Sequence, residues 1–90
     1  MKKYELLPIY DSRKSFYNKA TVEEERGIKK LYSYNTLVCT LSHNDIILNN
    51  NVDELLLFSN TSLRHIKEFL KQFYFNSDHN ITKKDLLKLL

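Results

Sequence analysis

The stretch Phe58–Phe73, FSNTSLRHIKEFLKQF, decides the fold. Leu63, Ile66, Phe69, Leu70 and Phe73 recur at helical spacing, and Tyr74 extends one edge of the stripe. The stripe is about 140° wide at 100° per residue, broad enough to lie on a sheet. Asn60, Thr61 and Ser62 compete to cap the orphan amides at the start. Arg64, His65, Lys67, Glu68 and Lys71 fall on or beside the polar side. Arg64 with Glu68 and Glu68 with Lys71 have the spacing of ion pairs along one helix. That side reads as a solvated face first and as a contact surface second. His65, on the border one turn before Phe69, reads as a packing and hydrogen-bonding residue, with partner contact or acid–base work the sharper alternative.

Upstream, the period changes from helical to alternating. FYNKATVEE from Phe16 reads as a strand, ERG as a turn in which Gly27 supplies a positive φ, and IKKLYSYN as a second strand. Ile28, Tyr32 and Tyr34 are expected on one face of it, and Asn35 can bend the chain. TLVCTLS makes a third strand, with Leu37, Cys39 and Leu41 on one side and Thr36, Val38 and Thr40 on the other. After a turn at His43–Asp45, IIL opens a fourth. VDELLLF, residues 52–58, is read as a further strand, with a short helix as the alternative.

Toward the end, ITKKDLLKLL carries Thr82 and Asp85 at capping-box spacing, with Ile81 and Leu86 as a hydrophobic staple. The expected fold is α+β. A small antiparallel meander of three to five strands is covered by one main amphipathic helix, followed by a short C-terminal helix. Within one domain, residues 1–15 form an N-terminal arm interrupted by Pro8, 16–58 the sheet, 60–75 the main helix and 82–90 the short helix.

Composition narrows the function. Ninety residues, 42% of them hydrophobic, with one Gly and one Pro, build one small core rather than a disordered chain. A net charge of +3 permits nucleic-acid contact without demanding it, and excludes an acidic DNA mimic. The single cysteine, Cys39, cannot close an internal disulfide and points to a reducing cytoplasm. MKKYELLPIY lacks the apolar core of a signal peptide, and no run is long enough to span a membrane. Abundant Asn, Lys and Ile, including the run Asn49–Asn51, fit an AT-rich genome.

Little suits catalysis. His43, His65 and His79 have no Cys or His partner at zinc-site spacing, and one glycine cannot make a phosphate loop. Glu23–Glu25 reads as a solvated run beside a turn, and Cys39 as a small buried hydrophobe. No enzyme, metal or cofactor is expected. Binding fits better. Arg64, His65, Lys67 and Lys71 offer one surface. A second arises from SRKSFYNK and KKLYSYN, where Arg13 and Lys14 stand near aromatic residues and Tyr32 and Tyr34 follow two lysines. Such interleaving suits base stacking with phosphate contact, or a protein–protein hot spot; a core face or its rim is the plainer reading.

DSRKSFYNKATV, LYSYNTLV and FSNTSLRHIKEFLKQ together resemble a family of small phage, prophage and plasmid proteins of low-GC Gram-positive bacteria. The resemblance runs from about Asp11 to Phe73. The family pattern pairs a Ser-Tyr-x-Thr strand segment, here Tyr32, Ser33, Tyr34 and Thr36, with a helix entry. In this sequence that entry is Ser59, Thr61, Ser62, Arg64, His65 and Ile66. Ser62 replaces the commoner threonine, and NNNVDELLL departs from the pattern. No activity comes with the resemblance; it implies a mobile element acting inside a bacterium. The expected function is therefore an inhibitor that occludes a host defence complex, in the manner of anti-CRISPR proteins. Direct nucleic-acid binding is the alternative. The expected partner is a host protein or nucleoprotein complex, with a homodimer compatible and no membrane involved.

Overall fold

A computed structural model describes residues 1–49 and 60–88. Five strands form one sheet in the order β1-β2-β3-β4-β5, every neighbouring pair antiparallel. They are β1 (Lys2–Glu5), β2 (Ala20–Glu25), β3 (Ile28–Ser33), β4 (Thr36–Ser42) and β5 (Asp45–Leu48). Helix α1 (Asn60–Leu70) continues into a π-helical turn over Lys71–Phe75, and α2 (Lys83–Leu87) follows. The protein is α+β, a meander under one main helix with a short helix after it. The expected strand or helix over 52–58 lies outside the described residues.

Register builds the core in rows. Tyr4, Val22, Leu31, Cys39 and Leu48 are successive cross-strand partners on one face. Ile66, Phe69 and Leu70 of α1 are buried with them, as the helical stripe requires. Beyond this row, Tyr4 Oη donates to Glu24 Oε2 at 2.8 Å, and Lys29 Nζ lies 5.6 Å from the Phe73 ring centre. Burial, with the Glu24 carboxylate beside it, pushes the Tyr4 hydroxyl up to about 12.

The N-terminal arm is extended at its start, where Lys2–Glu5 pairs with β2 as an edge strand. Three sequence expectations are corrected. The next strand begins at Ala20 rather than Phe16, since Phe16–Lys19 closes a turn with Lys19 N–H donating to Phe16 O at 2.9 Å. Tyr34 leaves the face of Ile28 and Tyr32, because β3 ends at Ser33 and Tyr34 enters the hairpin turn. Leu37 does not share the Cys39 face. Leu31 pairs with Cys39 but Tyr32 pairs with Leu37, so Val38 is an extra residue in a β-bulge. The bulge keeps both Val38 and Cys39 buried and turns Leu37 to the side of Tyr32. Asn49 accompanies it, its N–H donating to Val38 O at 3.1 Å and its Nδ2 to Leu37 O at 2.8 Å.

The end of the chain follows the expected chemistry. Thr82 and Asp85 form a reciprocal capping box, and Ile81 and Leu86 are buried. Between β1 and β2 the chain crosses the outer side of α1. Glu68 is buried there, its Oε1 accepting the N–H groups of Tyr10 at 3.0 Å and Asp11 at 2.8 Å. Gln72 Nε2 links Glu68 Oε2 and the Leu7 carbonyl, both at 2.7 Å. Leu6 and Phe16 anchor the two ends of the crossing in the core.

Candidate functional site

The dipeptide Tyr-Asn occurs twice, and both copies fold alike. Tyr17 and Asn18 have φ of 51° and 61°; Tyr34 and Asn35 have 52° and 67°. Positive φ at both central residues is what a tight two-residue turn with the twist of a β-hairpin demands. Asparagine tolerates that region, whereas a tyrosine there costs on the order of 1 to 2 kcal/mol. The turns are joined, with Tyr34 N–H donating to Lys19 O at 2.9 Å. Both rings are held out in water, Tyr17 at 71% exposure and Tyr34 at 48%.

Beneath them lies His65, with no accessible surface. Its ring meets Phe16 edge-on at 4.6 Å between centres, and Tyr34 stands 5.9 Å away. Ser33 Oγ lies 2.8 Å from His65 Nδ1 and 2.9 Å from Ser62 Oγ, joining β3 to the first turn of α1. Ala20, the cross-strand partner of Ser33, is a second small residue of this part of the sheet and is fully buried. Burial lowers the His65 pKa to about 4, with the Arg13 charge adding to the depression and the Asp11 carboxylate opposing it. The ring is neutral at pH 7. Its Nε2 is buried and has no hydrogen-bond partner among the described residues.

A Ser–His pair raises the question of nucleophilic catalysis. The geometry opposes it: Ser33 is 1% exposed and Ser62 is fully buried, so a substrate carbonyl has no approach to either hydroxyl. The pair acts as a hydrogen-bonded clasp between sheet and helix. Cys39 is equally inert, since burial drives its thiol up to about 12. Among the described residues, no group of three His, Cys, Asp or Glu side chains is placed to hold a metal ion.

A cleft of about 210 Å³ opens between the two turns, lined among others by Arg13, Tyr17, Lys19, Tyr34, Thr61 and His65. Three sequence-predicted residues, Arg13, Tyr34 and His65, therefore meet in one place. Tyr17 and Lys19, which belong to the aromatic and basic stretch SRKSFYNK, complete it, and the repeated Tyr-Asn dipeptide signals both turns. Lys14 is exposed beside Arg13 on the crossing segment. Tyr32 is elsewhere, half-buried on the opposite face of the sheet with Thr21 and Leu37 as partners.

The helix cations are also apart from the cleft. Arg64 Nη1 pairs with Asp11 Oδ1 at 3.0 Å, and Lys71 Nζ with Asp78 Oδ1 at 2.9 Å. Neither expected pair with Glu68 forms, because its carboxylate is occupied by Tyr10, Asp11 and Gln72. Lys67 pairs with no carboxylate among the described residues. It lines a separate groove of about 310 Å³ with Asp11, Leu63, Arg64, Glu68 and Lys71.

No helix among the described residues is long and apolar enough to cross a membrane. No curated protein and no solved structure matches the sequence. One family does, over residues 4–88, a span that holds both Tyr-Asn turns, His65 and the capping box of α2. The chain belongs to that family of unknown function, DUF8033.

Proposed function

We propose that this is a mobile-element-encoded binding protein of the bacterial cytoplasm. It inhibits a host defence complex by covering part of its surface, as anti-CRISPR proteins do. One observation carries the binding role: Tyr17 and Tyr34 are exposed at backbone positions that disfavour tyrosine, beside Arg13, Lys14 and Lys19. Unfavourable backbone conformations persist where the side chain has work to do. Tyrosine and arginine supply most hot-spot energy at interfaces, and turns already fixed by hydrogen bonds lose little freedom on docking. The motif resemblance supports the setting of phage and plasmid.

The test is phage challenge of Gram-positive hosts carrying defined defence systems, CRISPR effectors included, with and without this protein. Expression of the wild type is expected to restore plaquing. The double substitution Tyr17→Asn and Tyr34→Asn keeps both turns and removes both rings. It is expected to reduce that rescue by about tenfold or more, as loss of hot-spot contacts does. Unchanged plaquing against every defence system, or full rescue by the double variant, overturns the reading.

Direct nucleic-acid binding by a phage or plasmid accessory protein is the second reading. It is favoured by the same cations flanking exposed rings. Such binding weakens steeply as salt rises, in proportion to the phosphates contacted.

A further inference from the structure

The cleft between the Tyr-Asn turns has a polarity that a surface hollow does not need. Its mouth is cationic and aromatic, with exposed Arg13, Lys19, Tyr17 and Tyr34. Its inner wall is uncharged, made by buried Phe16 and His65. His65 Nδ1 is committed to Ser33, and its Nε2 has no partner among the described residues. A buried polar atom without a partner is costly, and a ligand that supplies one recovers that loss. Asp11, the carboxylate whose charge acts on this ring, is engaged by Arg64.

We infer that the cleft receives one nucleotide of a single-stranded nucleic acid. The base lies by the tyrosine rings, an edge brought to the buried His65 Nε2 as the half-exposed Tyr34 ring, 5.9 Å from the imidazole, swings aside, and its phosphate lies beside Arg13 and Lys19. The separation of charge decides between anionic ligands. An acidic peptide side chain carries its charge at the tip and would bring it against an uncharged wall. A nucleotide carries a planar, hydrogen-bonding, uncharged end and holds its charge several bonds away. Base stacking on exposed aromatic rings with cations along the backbone is the usual chemistry of single-strand binding. The inference rests on this surface being a contact site and names the chemical group it contacts, whether free in the cell or displayed by a nucleoprotein complex.

Titration of the full chain followed by NMR tests it, using short single-stranded DNA and RNA, the nucleoside 5′-monophosphates, inorganic phosphate and an acidic peptide. Single strands are expected to shift the His65 Nε2 and Tyr34 resonances. Tyr34→Asn, which suits the turn, is expected to weaken single-strand affinity by roughly tenfold, as loss of one stacked base does. Arg13→Ala with Lys19→Ala is expected to lower the salt slope by about 1.4, two single-strand phosphate contacts. The inference is overturned by strand binding that leaves His65 Nε2 unmoved, or by inorganic phosphate or the acidic peptide shifting it equally. Absence of strand binding at low salt overturns it too. Mononucleotides binding as tightly as strands would assign the cleft to a free nucleotide and overturn the strand. Phage challenge reads the inhibitor proposal separately, so either can fail alone.

Discussion

His65 is a neutral imidazole kept from water, and that makes it a measurable acid liability. Its folded pKa of about 4 lies below the ordinary value of 6.5. Between these values the unfolded chain binds the proton and the folded chain does not. Stability from this residue is therefore complete above about pH 6.5 and falls as pH drops toward 4. The full loss is on the order of 3 kcal/mol, a large share of what a small domain possesses. Urea midpoints of the wild type should fall over this window, whereas His65→Gln, with no titrating group there, should show a flatter profile. Equal slopes in both proteins would mean that another group controls the acid response. The carboxyls of Glu24 and Asp85 are held below their usual range, the first chiefly by the Tyr4 hydroxyl and the second chiefly by the Thr82 backbone. Glu24 begins to lose its contribution near its ordinary value of 4.5 and Asp85 near 3.8, so the two profiles are compared above about pH 5.

At the scale of elements, α1 is gripped from two sides. The sheet takes its apolar stripe, and Glu68 takes the crossing segment by two backbone N–H groups. Glu68→Ala leaves those donors without their carboxylate and should cost about 2 to 4 kcal/mol. Hydrogen exchange gives the sharper reading: the amides of Tyr10 and Asp11 should lose protection while those of β3 and β4 keep theirs. Unaltered protection at both amides would show that the crossing is held by other contacts. This tie explains why the polar side of the helix misled the sequence reading. A glutamate at helical spacing from arginine and lysine satisfies the rule for ion pairs along a helix. Nothing local reveals that a segment 57 residues earlier brings its own donors. Likewise, alternation located β4, but the extra residue at Val38 leaves no mark in a run of apolar and polar letters. The stripe of α1, the capping box at Thr82 and the turns between strands depend on neighbours in sequence and were legible for that reason. In the cleft, Arg13, Tyr34 and His65 were readable by type. Their meeting depends on the Lys19–Tyr34 hydrogen bond between two turns, which no spacing rule contains.

For the whole molecule, the first 18 residues are structural rather than appended. They supply an edge strand, Leu6 and Phe16 to the core, and the layer outside α1. Deletion of residues 1–18 removes two large buried side chains, each costing about 2 to 5 kcal/mol when truncated, beyond what so small a core can lose. The shortened chain should give collapsed amide NMR dispersion and no cooperative melt; a cooperative melt would contradict this account of the layers. The cleft joins these parts, since one wall comes from the crossing, another from a hairpin and its depth from the helix. Its two turns carry a consequence for how the gene can drift. Tyrosine and asparagine codons differ by one base, so each exposed ring is a single mutation away from a residue better suited to its backbone. Selection for folding alone would take that step at both places. Under the proposed binding role, Tyr17 and Tyr34 mark the points where pressure for stability and pressure for contact pull in opposite directions, and where the loss of a partner would first be written into the DNA.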